Sequence, residues 1–542
     1  MRALILDGYT DEPACLGVPP YISPYVRLAF GALKAAGADP QYATVDQWRA
    51  GSLDLSKAKL LVAIRNVAVP GKYLRGMPAS DNELRAIART FAGGSIASLG
   101  AASPPKELAD AFDRIAALDL DAGLFDLVSG GSFEDRRRTQ QEWSDWLVRG
   151  AEACSEHPDI AGPLIAEVQM YRGCVRYMSG GCKFCVEPLL GEVQFREAAD
   201  IVHETEALAK AGVRNIRLGA QSCVYCYMSE EVGETETPRP NADAVSRLLE
   251  AVRRAMRPRV FHLDNANPAV IAEHPEESRR ITKAIVENCT SGNVLAFGLE
   301  SADPQVAKAN NLNATAEQTL EAVRIVNEFG AVRGPTGLPA VLPGLNFVCG
   351  LEGETRDTYD LNMAFLRQVL GEGLLLRRIN IRQVMPVRCE HPGVRHRAAF
   401  EGFKRAVREE IDRPMLEKLL PDRTVLTSVY TELRQGGRTF GRQVGSYPIL
   451  VDIPYPVEVG RWVDIAVTGR GQRSVTGIVH PTDANTATLS MLGAVQGIGR
   501  RRAMAIVRKR PFTDPSELWA IFDEPKALSS AQFHLTCGKG LQ

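Results

Sequence analysis

The chain has 542 residues, of which 45% are hydrophobic and 24% are charged, and its formal net charge is −1. The composition is usual for a folded soluble protein, and the length exceeds that of one ordinary domain. The near-neutral balance excludes nucleic-acid binding through overall positive charge, so such a role requires a local basic patch.

We expect neither an export signal at the amino terminus nor a membrane-spanning segment. Four apolar residues before Asp7 are too few for a signal-peptide core, and no apolar run reaches the roughly 18 residues of a membrane helix. We therefore expect a cytoplasmic protein with no membrane partner. The eleven cysteines cluster unevenly in a long chain, which favours metal or redox chemistry over a disulfide framework.

Residues 1–155 alternate short apolar runs with amphipathic stretches, which predicts a Rossmann-like α/β domain with a parallel sheet. The candidate strands are Ala3–Leu6, Leu60–Ile64 and Ser95–Leu99, and the candidate helices are Tyr25–Ala36 and Asp81–Phe91. No Gly-x-Gly-x-x-Gly motif follows the first strand, so a dinucleotide site has no support.

Residues 160–400 repeat this alternation on a larger scale. The candidate strands are Val168–Tyr171, Asn215–Leu218, Val260–Leu263, Val294–Leu299, Asn346–Cys349 and Arg378–Gln383. The candidate helices between them include Ala198–Ala211, Ala242–Met256 and Ala316–Phe329. At least six β/α units predict a full or partial (β/α) barrel, in which the chemistry lies at the carboxyl ends of the strands.

The composition and periodicity of the sequence change twice in the carboxyl-terminal part of the chain. Residues 424–482 are rich in Gly, Val, Thr and Arg, and Val463–Val467 and Ser474–Val479 predict strands of a small β-barrel. Residues 485–542 return to helical patterns. The expected domains are therefore 1–155, 160–400, 424–482 and 485–542.

Three cysteines lie in one loop after a predicted strand. Tyr171-Arg172-Gly173-Cys174 is followed by Cys182-Lys183-Phe184-Cys185, which gives a C-x7-C-x2-C spacing with three glycines. Short cysteine spacings are typical of iron–sulfur sites, and three ligands leave one iron open for chemistry. Structural zinc is the rival, but it takes four ligands, and no fourth Cys or His is nearby in sequence. The remaining alternative is three unrelated buried cysteines.

The Arg-Gly-Cys strand end, the Cys-x-Phe-Cys element and the barrel behind them resemble the radical S-adenosylmethionine (SAM) superfamily. The usual family spacing is C-x3-C-x2-C, so the longer first gap marks a variant loop. The resemblance implies that Cys174, Cys182 and Cys185 hold a [4Fe–4S] cluster whose open iron binds SAM. It also implies reductive cleavage of SAM to a 5′-deoxyadenosyl radical, with an electron donor such as ferredoxin or flavodoxin.

Further motifs follow in family order. Ile216–Gln221 stands where the family's second strand ends in a glycine motif, and Phe297–Ser301 matches its fifth-strand Gly-x-Glu-Ser. Gly350–Thr355 resembles the element after the sixth strand, with Glu in place of Pro, and His262–Pro268 ends the fourth strand candidate with polar groups. The cofactor-binding residues implied by the resemblance are Gly219, Ala220, Gln221, Asn265, Glu300 and Ser301.

A second cysteine pair, Cys223 and Cys226, follows the glycine motif as a C-x2-C. We expect it near the cofactor. The two residues are ligands of a second iron–sulfur cluster, a redox-active pair, or two semi-buried thiols in a loop.

A β/α domain ahead of a radical barrel resembles two arrangements, a cobalamin-binding domain and a methylthiotransferase domain with three cluster-binding cysteines. Residues 1–156 contain no histidine, so the Asp-x-His-x-x-Gly ligand motif is absent, although base-off cobalamin binding stays open. Cys15 and Cys154 are too few for a three-Cys cluster. A substrate-binding or scaffolding domain is the favoured interpretation.

The basic segment near the carboxyl terminus resembles a helix–hairpin–helix motif. Gly497 and Gly499 form a Gly-x-Gly turn before Arg500, Arg501 and Arg502, and six basic residues with no acidic one lie between positions 485 and 511. A helix start of this kind presents backbone N–H groups to phosphate, which predicts nucleic-acid binding. The alternative is a helical hairpin used for packing.

The preceding β-rich segment resembles a small RNA-binding barrel of the TRAM type. The run Phe440–Pro448 is polar and turn-rich, so we expect it to fold toward the barrel opening, with Arg442 and Gln443 as candidate substrate contacts. An ordinary loop is the alternative.

The leading hypothesis is a radical enzyme that modifies RNA, such as tRNA, by methylthiolation or methylation. The runner-up is a radical enzyme acting on a protein or small metabolite. A third reading, a non-catalytic iron–sulfur nucleic-acid-binding protein, has no need of the cofactor motifs at Gly219 and Glu300.

Overall fold

The computed structural model describes residues 1–11, 20–67, 76–100 and 104–537. Its first part contains β1 (Arg2–Asp11), β2 (Tyr21–Ile22), α1 (Pro24–Ala35), β3 (Asp39–Thr44), α2 (Val45–Arg49), β4 (Leu60–Val67), α3 (Asp81–Thr90), β5 (Gly94–Ser98), α4 (Lys106–Ala109), β6 (Arg114–Ile115), α5 (Leu120–Gly130) and α6 (Gln140–Gly150). Five of these strands form one parallel sheet in the order β3-β1-β4-β5-β6. The predicted parallel β/α architecture is confirmed.

Helices cover this sheet because their apolar faces need a partner. On α1 the buried face includes Val26 and Phe30, and its amino terminus is capped by the Ser23 hydroxyl. The buried Trp146 of α6 packs beside α1, where a side chain at Gly31 would collide with the Trp146 backbone. The short strand β2 leaves this sheet and pairs with the first barrel strand.

The central part contains β7 (Ile165–Gln169), β8 (Tyr171–Arg172), β9 (Gln194–Phe195), α7 (Ala198–Lys210), β10 (Asn215–Gly219), α8 (Ala242–Met256), β11 (Val260–Leu263), α9 (Pro268–Glu273), α10 (Pro275–Asn288), β12 (Asn293–Glu300), α11 (Pro304–Ala309), α12 (Ala316–Gly330), β13 (Val341–Cys349), α13 (Arg356–Gly371) and β14 (Arg378–Gln383). The strands β7, β10 and β11 are parallel, as are β12, β13 and β14. A single bridge between Ala266 and Phe297 joins the two sheets. The result is a partial barrel of six parallel strands in chain order.

The first barrel strand lies earlier than predicted. It is Ile165–Gln169 rather than Val168–Tyr171, and Tyr171–Arg172 instead pairs antiparallel with Gln194–Phe195. All five residues of β7 are buried. A strand covered on both faces has no alternation, which removes the periodic signal that fixes its ends.

The carboxyl-terminal part contains α14 (Arg397–Ala406), α15 (Arg413–Leu419), β15 (Val425–Gln435), β16 (Arg438–Gln443), β17 (Leu450–Ile453), β18 (Trp462–Arg470), β19 (Ser474–Val479), β20 (Thr482–Asp483), α16 (Leu489–Ala494), α17 (Arg500–Lys509), α18 (Pro515–Trp519), α19 (Pro525–His534) and β21 (Leu535–Thr536). Strands β15 to β19 close into a barrel in the order β15-β16-β17-β19-β18, which confirms the predicted small β-barrel. In the described parts of the chain, no helix is long and apolar enough to cross a membrane.

Candidate radical SAM site

The three loop cysteines meet at one cavity. Cys174, Cys182 and Cys185 all line a cavity of about 240 Å³ at the carboxyl ends of the barrel strands, and all three are free thiols. Burial raises the pKa of Cys174 to about 11 and that of Cys182 to about 12. Such thiols need positive charge to ionise, and bound metal supplies that charge.

The loop cysteines are not arranged as a site for a single metal ion would be. Among the described residues, no group of three or more His, Cys, Asp or Glu side chains is placed to hold one metal ion. In an iron–sulfur cluster each thiolate binds its own iron, so the thiolates need not converge on one point. The arrangement of the loop cysteines therefore fits a cluster with one open iron.

The glycines of the cysteine loop adopt left-handed conformations. Gly173, Gly180 and Gly181 have φ of +96°, +79° and +59°. These left-handed values favour glycine, because a Cβ there meets the following backbone. The long C-x7-C gap is thus folded back on itself by two consecutive left-handed residues before Cys182.

Three side chains outside the cysteine set fasten the loop. Arg176 donates to Cys182 Sγ at 3.3 Å, to the Asn311 carbonyl at 3.0 Å and to Glu236 at 2.5 Å. Asn311 donates back to the Gly181 carbonyl at 2.8 Å. The guanidinium of Arg388 donates to carbonyls of the loop, with distances of 2.6 Å to Gly180, 3.1 Å to Cys182 and 3.3 Å to Cys185. None of these three side chains is part of the site that the sequence predicts.

The wall of the cavity also carries polar atoms that no described protein group satisfies. Glu300 and Asn313 line the cavity, and Glu300 Oε2 and Asn313 Oδ1 are buried without a hydrogen-bond partner among the described residues. Burial raises the pKa of Glu300 to about 8, although the nearby Arg382 partly counteracts it. Buried polar atoms without partners are costly in a folded protein. Their position in the wall of this cavity therefore fits a polar ligand such as SAM.

The predicted cofactor-binding residues divide into two groups. Asn265 and Glu300 line the cavity. Gly219, Ala220 and Gln221 are buried at the end of β10, where a side chain at Gly219 would collide with Glu167, and the cavity wall is formed by the next residues, Ser222 and Cys223. Ser301 is buried, and its hydroxyl accepts the Asp303 N–H at 3.2 Å.

The strand positions assigned to three motifs are wrong by one. The segment at His262 ends the third parallel barrel strand rather than the fourth, and Glu300 ends the fourth rather than the fifth. Gly350 follows the fifth rather than the sixth. The reason is that residues 220–241 contribute turns and isolated bridges, with no further parallel strand between β10 and β11.

The second cysteine pair adjoins the same cavity. Cys223 lines it, whereas Cys226 is fully buried and is not part of its lining. Both thiols are free, and they belong to a 3-10 turn that spans Val224–Cys226. The predicted proximity of the pair to the cluster loop is therefore observed.

The run Phe440–Pro448 lies at the opposite end of the barrel from the opening. Arg442 forms an ion pair with Glu432 at 2.8 Å, and Gln443 donates to the Thr336 and Thr427 carbonyls. The expectation that Arg442 and Gln443 contact substrate is wrong, because neither lines the catalytic cavity. Instead, the loop that follows Gln443 packs into the partial barrel from the end opposite the opening.

Two residues fix this inserted loop. Ser446 donates its backbone N–H to His262 Nδ1 at 3.1 Å, and the Tyr447 hydroxyl donates to Asp264 at 3.2 Å. Asp264 also pairs with Arg217 inside the barrel. The small β-barrel thus contributes to the interior of the partial barrel.

The predicted nucleic-acid segment forms a helix, a turn and a second helix. Gly497 has a φ of +83°, and Gly499 directly precedes α17. Arg500 and Arg501 are exposed, but Arg502 donates to the Gly497 carbonyl and pairs with Asp523 and Glu524. Nucleic-acid binding by this segment stays a prediction.

The comparison with protein families decides the class. The model of the radical SAM superfamily matches residues 168–360, the range that holds the cysteine loop and most of the partial barrel. The chain contains a radical SAM domain. It is therefore an enzyme, its superfamily implies a [4Fe–4S] cluster and SAM as cofactors, and the non-catalytic reading is set aside.

Two relatives of this radical SAM protein match nearly the whole chain. An uncharacterised protein of Methanocaldococcus jannaschii is 42% identical over 88% of this chain and 93% of its own length. An uncharacterised protein of Archaeoglobus fulgidus is 39% identical over 96% of this chain and 97% of its own length.

Two further relatives match far less of the chain. A ribosomal protein uS12 methylthiotransferase of Akkermansia muciniphila is 24% identical over 39% of this chain and 44% of its own length. A tRNA-2-methylthio-N(6)-dimethylallyladenosine synthase of Citrifermentans bemidjiense is 25% identical over 39% of this chain and 42% of its own length.

Among solved structures, the radical SAM methyltransferase TsrM of Kitasatospora setae aligns with a TM-score of 0.47 at 14% identity. The alignment covers 80% of this chain and 79% of that chain.

Proposed function

We propose that this radical SAM enzyme modifies RNA, with tRNA as the expected substrate and methylthiolation or methylation as the expected reaction. When bound, the cluster supplies one electron that cleaves SAM to a 5′-deoxyadenosyl radical, which abstracts hydrogen from the substrate. The protein's own contribution is to position these groups and to exclude water.

Within the cavity, the residues have separate tasks. Cys174, Cys182 and Cys185 would hold the cluster, and Arg176 and Arg388 hold the loop that carries them. Glu300 and Asn313 offer unsatisfied oxygens to the donors of a polar cofactor. Burial raises the pKa of Glu300 to about 8, so a cationic group bound beside it would favour its ionised form.

The RNA proposal rests chiefly on the surface of α17. Arg500 and Arg501 are exposed in its first turn, and no side chain caps this helix start at Gly499. Free N–H groups, the positive end of the helix dipole and two arginines together favour phosphate. The tRNA enzyme among the relatives supports the same substrate class.

A protein substrate is the second candidate, because one matched relative acts on ribosomal protein uS12. Binding of tRNA and of a protein substrate should respond differently to salt. We expect tRNA affinity to fall steeply between 50 and 200 mM salt, by roughly 10-fold or more when several phosphates are contacted. Equal affinity across this range would contradict the RNA proposal and favour the second candidate.

Within this proposal, cobalamin is a candidate cofactor of the amino-terminal sheet. In this strand order, ligands bind at the carboxyl ends beside the point where the order reverses, between β1 and β4. The segments that follow these strands, 12–19 and 68–75, lie outside the described residues, as does Cys15. Cobalamin binding by the purified protein, read from its visible spectrum, tests this cofactor.

A second iron–sulfur cluster on Cys223 and Cys226 is the other open cofactor. The geometry of the pair favours a different role for these two thiols.

A further inference from the structure

Cys223 and Cys226 lie side by side, but only one of them faces the cavity. Cys223 directly precedes the 3-10 turn Val224–Cys226, and residues three apart in such a turn lie on the same side. Each of the two thiols shifts the pKa of the other, as expected for neighbouring side chains. Cys223 is therefore the outer thiol and Cys226 the inner one.

The backbone of Cys223 is held in place. The Tyr171 hydroxyl accepts the Cys223 N–H at 2.8 Å and donates to the Cys223 carbonyl at 2.7 Å. Tyr171 is itself fully buried and is three residues ahead of the first loop cysteine. The pair is thus fixed to the base of the cluster loop rather than lying on a surface turn.

The surroundings favour a thiolate at Cys223. Burial alone would raise its pKa, but the neighbouring Cys226 thiol and the backbone N–H of Asn267 hold the pKa below the usual range. The Asn267 N–H lies 3.2 Å from Cys223 Sγ. Burial and the neighbouring Cys223 sulfur raise the pKa of Cys226 well above its usual range. An outer thiol that ionises more readily than the inner one is the arrangement of a dithiol poised for exchange.

A second cluster fits this arrangement poorly. A cluster normally takes four protein ligands, or three with one iron open. Among the described residues, the cysteines that line the cavity are Cys174, Cys182, Cys185 and Cys223, and the first three belong to the cluster loop. The pair thus has no third thiol to share, and Cys226 lies behind the cavity wall.

We infer that Cys223 and Cys226 form a redox-active dithiol in the wall of the catalytic cavity, with Cys223 as the attacking thiolate and Cys226 as the resolving thiol. This role goes beyond the proposed RNA modification and does not depend on its substrate. A small disulfide such as oxidised glutathione is the oxidant. The Cys223 thiolate attacks one of its sulfurs, forms a mixed disulfide and releases one glutathione thiolate.

Cys226 then completes the exchange. Its thiol loses a proton and attacks Cys223 Sγ, so that the Cys223–Cys226 disulfide forms and the second glutathione leaves as a thiolate. Two thiols are oxidised and one glutathione disulfide is reduced to two glutathiones. A dithiol such as dithiothreitol reverses the reaction.

The test uses the full-length protein with its cluster, kept free of oxygen. The protein is equilibrated with mixtures of oxidised and reduced glutathione, quenched in acid with N-ethylmaleimide, and digested. Mass spectrometry of the peptide that contains both cysteines then reports a loss of two hydrogens or the addition of two maleimides. Iron and sulfide are measured on the same samples.

We expect the wild-type peptide to lose two hydrogens in oxidised glutathione and to regain them in dithiothreitol, while iron stays at roughly four atoms per chain. In Cys226→Ser the mixed disulfide between Cys223 and glutathione should accumulate. Cys223→Ser should form no mixed disulfide. Cys289→Ser, which changes a half-buried cysteine at the end of α10, is the matched control and should behave as the wild type.

Two results would overturn the inference. One is a wild-type peptide that stays reduced in every glutathione mixture. This result does not depend on the folding of any variant. The other is a Cys223→Ser, Cys226→Ser double variant that loses about half of the wild-type iron, because that loss identifies a second cluster. Neither readout involves RNA, so failure here is distinct from failure of the proposed function.

Discussion

The guanidinium of Arg176 lies 3.3 Å from Cys182 Sγ, inside the long gap that separates the first two loop cysteines. Arg176 therefore has two roles: it ties the loop to Asn311, and it places a positive charge beside a cluster thiolate. Hydrogen bonds to cluster sulfurs stabilise the more negative, reduced cluster. The residues that lengthen the loop thus also supply a group that tunes it.

Arg176→Gln is expected to make the cluster harder to reduce. Loss of one charge-assisted hydrogen bond, about 1–2 kcal/mol, corresponds to a shift of roughly 50 mV toward more negative potential for a one-electron couple. A redox titration followed by electron paramagnetic resonance measures this shift. Lys183→Gln is the matched control, because Lys183 is in the same loop but pairs with the exposed Glu352. An unchanged potential in Arg176→Gln would show that the contact with Cys182 has no electronic effect.

The arginines of α17 are expected to differ in their effect on tRNA binding. Arg501→Gln should weaken binding several-fold and reduce its salt dependence by about one counterion, because Arg501 is exposed. Arg502→Gln should have a smaller effect on binding, because Arg502 is already paired with Asp523 and Glu524. Filter binding or fluorescence anisotropy at several salt concentrations separates the two. Equal losses in both variants would argue that stability of the helix, rather than contact with phosphate, controls binding.

Gly445→Ala is expected to disturb the insertion of the small β-barrel into the partial barrel. A Cβ at this position would lie 2.7 Å from the His262 ring, so the loop or the ring must move. We expect a loss of about 1–3 kcal/mol in the free energy of unfolding, measured by urea denaturation. Gly402→Ala is the control, since a Cβ there meets no atom within 4 Å and Ala favours the helix α14. Equal stability of the two variants would contradict the close packing at His262.

Stability should fall on acidification because of His262. Burial, and less strongly the charge of Arg217, lower the pKa of His262 from 6.5 to about 4, so the native state binds fewer protons than the unfolded state between these values. The contribution of neutral His262 to the free energy of unfolding is complete above pH 6.5 and is lost as the pH falls toward 4. At pH 5 the loss amounts to about 2 kcal/mol. Urea denaturation at pH 5 and pH 7.5 measures it. His262→Gln should lose most of this pH difference, and a variant that keeps it would assign the effect to other groups.

Much of the fold follows from local sequence signals. Helix α8 begins and ends where its pattern predicts, because Asn241 caps its first turn and Arg257 ends it in a left-handed conformation. The strand β11 also has its predicted bounds. In contrast, β7 is shifted, because a strand buried on both faces has no alternation to mark its register.

The site was predictable only where its parts are near each other in sequence. The cysteine loop and its glycines carry a local signal, so they were found. Arg388 and Asn311 reach the loop from more than a hundred residues away, and an arginine or asparagine in a connecting segment looks like any solvated residue. The same limit explains Arg442, whose partner Glu432 becomes visible only when β15 and β16 pair.

Reductive cleavage of SAM tests the central claim most directly. The reconstituted wild-type protein, reduced with dithionite in the absence of oxygen, should bind roughly four iron atoms and convert SAM to 5′-deoxyadenosine. Cys182→Ala should form none above background, whereas Cys289→Ala, which alters a cysteine outside the cavity, should match the wild type. Full 5′-deoxyadenosine formation by Cys182→Ala, or none by iron-loaded wild type, would contradict the assignment of the cluster to this loop.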